Sequence, residues 1–212
     1  MLHVKQFVFN MLEVNSYLLW DDASHQALLI DCAAQYKSEE EELDAFLREK
    51  GLTLVAALQT HMHFDHIFGI PALERAYGVL PRFHKGDSEL YQRLPEWLAM
   101  MEIRQTVAFP ALTQYVSDNE VIDFSGTPLH VLHTPGHSQG CVCYYLPTEG
   151  ILFSGDTLFA GSMGRADLPG GDYEQEVMSI RNRLFALPDD VRVFPGHGPA
   201  TTIGRERSTF IG

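Results

Sequence analysis

Apolar and polar positions alternate early in the chain, in HVKQFVF (residues 3–9), SYLLW (16–20) and QALLID (26–31). These runs predict strands, separated by polar breaks such as Asp21-Asp22. The period then changes. Leu43, Phe46 and Leu47 share one helical stripe, Glu39 to Glu42 fill a first turn, Ser38 is available as a cap, and Gly51 closes the segment, so Ser38 to Lys50 predicts a helix. LVAALQT (54–60) reads as a buried strand, and GIPALERAYG (69–78) as a second helix ending at Gly78. In the middle, Leu90, Leu94, Trp97, Leu98 and Met101 predict a helix within Ser88 to Thr106 that either packs on the core or covers a site. Strands resume with EVIDF, LHVLHT, CVCYYL and GILFSGD; a helix over Asp172 to Leu187 and a short strand VRVFPGH follow. No repeat of fixed period and no Pro-, Gly- or Ser-rich linker divides the chain, so residues 1–212 are expected to form one domain.

A chain of 212 residues can bury roughly 70% of its unfolded surface, so neither a disulfide nor a metal is needed merely to hold the fold. The net charge of −13 argues against a nucleic-acid surface and against an anionic membrane, and leaves a small-molecule substrate as the expected partner. The three cysteines, Cys32, Cys141 and Cys143, are odd in number, and two of them lie two apart on a strand-like run where they are badly placed to bridge. Reduced thiols and a cytoplasmic location are the simplest reading. The N-terminal stretch makes a poor signal peptide, and no run of about 18 apolar residues exists for a transmembrane helix.

Chemistry concentrates in THMHFDH, residues 60–66. His61 and His63 are two apart, on roughly opposite faces of a helix but on one face of a strand end, where both can grip one metal. Asp65 and His66 come at the following turn and point elsewhere, toward a second metal. More donors are expected from other loops. His137 in TPGHSQG, Asp156 in SGDTLF and His197 in PGHGP each follow an apolar run and have glycine beside them.

The series THMHFDH, TPGHSQG, SGDTLF and PGHGP resembles the metallo-β-lactamase fold superfamily over nearly the whole chain, and its glyoxalase II-like branch more than the β-lactamases. The resemblance implies a four-layer αββα sandwich with two divalent metals at one edge, zinc first, with iron or manganese also suited to imidazole and carboxylate. It implies that His61, His63 and His137 hold one ion, that Asp65, His66 and His197 hold the other, and that Asp156 bridges them. Asp31 would support a histidine from behind, although the glycine-containing turn usual after it is here Cys32-Ala33-Ala34. Two such ions lower the pKa of a shared water from about 16 to about 7. The implied activity is hydrolysis of thioesters of the hydroxyacylglutathione type by that hydroxide, in which a thiolate leaves without needing a general acid.

Residues 161–175, GSMGRADLPGGDYEQ, follow Asp156 as a wall of the site, and Arg165 is the cation there able to meet a substrate carboxylate. Glutathione-using relatives carry a lysine and a tyrosine in this loop and a basic C-terminal domain. Here the loop has Arg165 and Asp167, and fifteen residues follow His197. His3, His25, His84 and His130 read as structural or exposed, and His133 as a residue orienting the TPGH turn. The rival activities on the same fold are a one-iron persulfide dioxygenase, which shares a GR-x-D segment like GRADL, and a lactone or β-lactam hydrolase.

Overall fold

The computed structural model describes residues 1–103 and 108–210. Its first half runs β1 (Leu2–Phe9), β2 (Val14–Asp21), β3 (Gln26–Ile30), α1 (Lys37–Lys50), β4 (Thr53–Leu58), α2 (Phe64–Ile67) and α3 (Ile70–Tyr77). A two-residue strand β5 (Phe83–His84), which pairs with β6 (Tyr115–Val116), and helices α4 (Ser88–Gln92) and α5 (Leu94–Met100) lead into the second half. There follow β7 (Val121–Phe124), β8 (Thr127–His133), β9 (Val142–Leu146), β10 (Ile151–Gly155), the small hairpin β11 (Leu158–Phe159) and β12 (Ser162–Met163), α6 (Tyr173–Ser179), β13 (Arg192–Pro195), β14 (Thr201–Thr202) and α7 (Ile203–Thr209).

Two sheets carry the fold. One has the order β1-β2-β3-β4, and the other β14-β13-β10-β9-β8-β7. Side chains alternate across each sheet, and neighbouring residues therefore serve different layers. Leu19 and Leu28 face the second sheet and pack with Val131, Tyr144 and Phe153; Leu18 and Leu29 face outward under Leu43 and Leu47 of α1 and Leu73 of α3. On the far side, Cys143, Leu152 and Val193 pack under Ile180, Leu184 and Ile203. Helices thus cover both outer faces, giving the expected αββα layering. All three cysteines are free and buried. Among the described residues no helix is long and apolar enough to cross a membrane.

Three local expectations change. Ser38 does not cap α1; the helix begins at Lys37, and the Glu39 carboxylate reaches back to the N–H groups of Gln35 and Tyr36 at 2.7 and 3.0 Å. The middle segment is two helices rather than one. It breaks at Arg93, because Pro95 has no N–H to continue a helix and is placed instead in the first turn of the next. Residues 104–106 of that expected helix lie outside the described residues. His61 and His63 lie beyond the strand: β4 stops at Leu58, and their loop is held instead by side chains, as described next.

Candidate metal centre

The loops after β4, β8, β10 and β13 all open on the same edge of the sandwich and bring seven side chains together. His61, His63 and His137 form one group, His61, His66 and Asp156 a second, and Asp65, His66 and His197 a third; within each group the donor atoms lie within 4.8 Å of one another. All are buried except His197, which is half-buried.

The imidazoles are aimed by what their Nδ1 atoms touch. His66 Nδ1–H donates to Asp31 at 3.0 Å, His137 Nδ1–H to the Arg165 carbonyl at 2.8 Å, and His197 Nδ1–H to the Leu12 carbonyl at 3.0 Å. Thr60 spends its hydroxyl proton on Asp31 and so accepts from His61 Nδ1–H at 3.0 Å. In each of these four the outer nitrogen is tied and Nε2 is presented to the centre, the arrangement that fixes tautomer and orientation in metal sites. Asp31 therefore supports His66 directly and His61 through Thr60. It does so from a left-handed backbone, φ 59°. The Cys32-Ala33-Ala34 turn packs closely on Gly69, where a Cβ would come within 2.9 Å of the Cys32 carbonyl.

The centre fits divalent metal on its own terms. His61 Nε2 is a buried polar atom without a hydrogen-bond partner, and His66 Nε2 and Asp156 Oδ1 form no regular hydrogen bond and have only each other at 3.3 Å; all three belong to the same donor group. Orphaned atoms of this kind are rare and costly in a folded protein. Burial, followed by the neighbouring histidines, holds His61 well below its usual pKa, and burial then His137 lowers His63 to about 3. Both are therefore neutral, as a ligand must be. Burial also disfavours charge on His66, but Asp156, Asp31 and Asp65 outweigh it and hold the ring well above its usual value.

Two acids that sequence reasoning overlooked shape this edge. Asp87 is buried and accepts from the Met62 N–H at 3.0 Å, the Ser138 hydroxyl at 2.8 Å and the Gly140 N–H at 2.6 Å, which ties the His61–His63 loop to the His137 loop. Glu176, at 0% exposure, makes no well-formed hydrogen bond on either oxygen and lies against Gly136 and Gly164. Neither sits in a motif; KGD (85–87) and QEV (175–177) carry no metal or catalytic pattern. His133 orients the turn as expected, its Nε2–H meeting the Gln139 carbonyl at 2.9 Å, and its ring stacks on His84. Arg165 stands at the wall of the site, but its guanidinium is forked onto Asp167 at 2.7 and 2.8 Å.

Glycines here are about space more than turns. A methyl at Gly196 would come 2.1 Å from Asp156 Oδ1 and 2.7 Å from the His66 ring. We expect Gly196→Ala to lower activity by about a hundredfold, the usual result of displacing a reacting group by about 1 Å. Metal content should fall with it while far-UV circular dichroism stays unchanged; full metal loading would mean the carboxylate has room to move.

A pocket of about 610 Å³ opens over the centre, with His63, Asp65, His137, Asp156 and His197 at its floor and α5 on its far wall. A smaller cavity of about 200 Å³ between α1 and α3 contains none of these groups.

Comparison with known proteins agrees with this geometry. The family model described as "Metallo-beta-lactamase superfamily" matches residues 10–197. Hydroxyacylglutathione hydrolase GloC of Haemophilus influenzae is 34% identical over 194 residues, covering 91% of this chain and 89% of that protein. Among solved structures, BLEG-1 B3 metallo-beta-lactamase superposes with a TM-score of 0.86 at 34% identity, over 97% of both chains. TTHA1623 in a di-iron-bound form superposes with a TM-score of 0.85 at 35% identity, over 97% of this chain and 98% of that one. Fold, donor cluster and relatives coincide: the chain belongs to the metallo-β-lactamase superfamily, as a metallo-hydrolase that binds divalent metal.

Proposed function

We propose that this chain is a glyoxalase II-like thioester hydrolase acting on a small-molecule substrate with a two-metal centre, zinc first and iron or manganese as alternatives. The observation that carries this reading is the set of three overlapping donor groups, two of them sharing His61 and two sharing His66, with Asp156 in contact with histidines of both sides. His61, His63 and His137 would hold one ion, Asp65, His66 and His197 the other, with Asp156 between them. Bound there, divalent ions supply Lewis acidity and a nucleophile at neutral pH. The chain's own groups do the rest. Asp65 and Asp156 bring negative charge to balance the ions, and the tied Nδ1 atoms hold four rings in register so that little reorganisation accompanies the reaction.

The leaving group follows from what the pocket lacks. Apart from the donor set, its described lining residues include no side chain able to give up a proton near neutral pH, since the Arg165 guanidinium stays protonated beside Asp167. An amine must be protonated as it departs; a thiolate need not be. That supports a thioester over an amide. The lactam alternative draws on the likeness to BLEG-1 B3 metallo-beta-lactamase.

Elemental analysis combined with a thiol-release assay tests the proposal. Purified protein given excess zinc or manganese should hold about two ions and release thiol from a glutathione thioester, with negligible oxygen uptake on glutathione persulfide. Asp65→Ala should retain about one ion and lose activity by about a hundredfold or more while remaining folded. One tightly bound iron with rapid oxygen uptake would make the dioxygenase reading correct, and faster opening of a cephalosporin than of any thioester would make the lactam reading correct.

A further inference from the structure

The pocket over the centre is polar at one end only. Its floor is the donor set. Its far wall is Leu90, Leu94, Trp97, Met100, Met101 and Leu168, contributed by α4, α5 and the loop before α6. Met62 and Phe64 continue the apolar surface down to the donors themselves. The one cation among the described lining residues, Arg165, is already neutralised by Asp167. A volume of about 610 Å³ is ample for a drug-sized ligand, and one built this way meets methylenes, not carboxylates.

Biological thiol carriers are polar: glutathione has two carboxylates and a phosphopantetheine arm ends in phosphate. Nothing on this wall complements either, and an unpaired carboxylate moved against Leu94 and Trp97 would lose its water without compensation. The apolar half of the substrate must then be the acyl half. Resting on the thioester reading above, we infer that the preferred substrates carry an extended apolar acyl chain, which lies along the wall formed by α4, α5 and Leu168 while the polar thiol carrier projects toward solvent. The wall suits a family of chains rather than one shape. Met62, Met100 and Met101 are unbranched and adapt to irregular apolar partners. Met100 and Met101 are 64% and 52% exposed, so burying them under a chain removes apolar surface from water on both sides.

The test uses the metal-loaded full chain and two independent readouts. Acyl thioesters of one short thiol, N-acetylcysteamine, are compared from acetyl to octanoyl. Each added methylene should raise kcat/KM by about fourfold if fully buried, and butanoyl to octanoyl by about a hundredfold allowing for partial burial. Changing the thiol to glutathione at constant acyl group should alter kcat/KM by less than about tenfold. Met100→Glu, at a position 64% exposed, should flatten the chain-length dependence by about tenfold, read as the ratio of octanoyl to acetyl kcat/KM within the variant against the same ratio in the parent; an unchanged ratio would remove Met100 from the wall that holds the chain. The second readout is binding. In a Trp20→Phe background, which leaves Trp97 as the only tryptophan, its fluorescence should report octanoate binding about a hundredfold tighter than butanoate. If alkanoates bind with this slope but no thioester is cleaved, the thioester reading fails and the apolar pocket stands. If thioesters are cleaved with no dependence on chain length, and alkanoate binding is equally flat, the inference is overturned and the hydrolase reading survives.

Discussion

Asp156→Asn, which keeps the side chain's shape and removes its charge, is expected to abolish the centre as a unit. Its Oδ1 lies 3.3 Å from His66 Nε2, and its Oδ2 lies 3.7 and 3.6 Å from His137 and His197 Nε2. No other described carboxylate touches histidines of both donor sides in this way. Burial opposes its negative charge, but His66, then His137 and His197, hold it well below the usual carboxylate range, so it is an anion at neutral pH. On the proposed two-metal reading, removing that anion would leave the charge of two cations to be balanced by Asp65 alone, and like charges in a water-poor site repel strongly. Metal analysis should therefore show no more than one weakly held ion, and kcat/KM should fall by about a thousandfold or more. A variant that keeps two ions and activity within tenfold of the parent would remove Asp156 from the bridging role.

The second large effect concerns stability. Glu176 is fully buried and neither oxygen makes a well-formed hydrogen bond; its pKa is pushed up to about 8 by burial first and then by the charge of Asp156, with the nearby Gly164 N–H only partly offsetting them. A carboxyl whose folded pKa exceeds its unfolded value of 4.5 binds more protons folded than unfolded between those two values. Its contribution to stability is therefore full below pH 4.5 and is lost as pH rises through about 8. Glu176→Gln carries no proton to lose. Relative to the parent, the variant should gain about 3 kcal/mol of stability between pH 5 and pH 8.5, some of the full linkage being relieved by local relaxation. Urea unfolding of the metal-free proteins at the two pH values measures this. An unchanged difference between parent and variant would mean that Glu176 finds a partner that neutralises its charge.

Much of the molecule is legible in its sequence because period reports layer. Leu18 and Leu19 are both apolar since each faces a different buried layer, and the stripe through Leu43 and Leu47 can only be a helix face. Gly51 closes α1 at φ 65°, where any other residue would be strained. Histidine and aspartate at the ends of apolar runs also stand out, since few other reasons place so many such groups at strand ends. Chain folding decided the rest. Asp87 reaches loops 25 and 51 residues away in the chain, and nothing local marks it for that role. Glu176 has an ordinary helical neighbourhood; only the close approach of Gly136 and Gly164 makes it a buried acid. Arg165 reads as a free cation until its fold onto Asp167 is seen. The apolar wall is likewise a product of assembly, because the neighbouring helices α4 and α5 are distant in sequence from the loop at Leu168 and join it in one surface only in the folded chain. Local pattern encodes which face of an element is buried, whereas the identity of its partners depends on loop closure and packing across the whole chain.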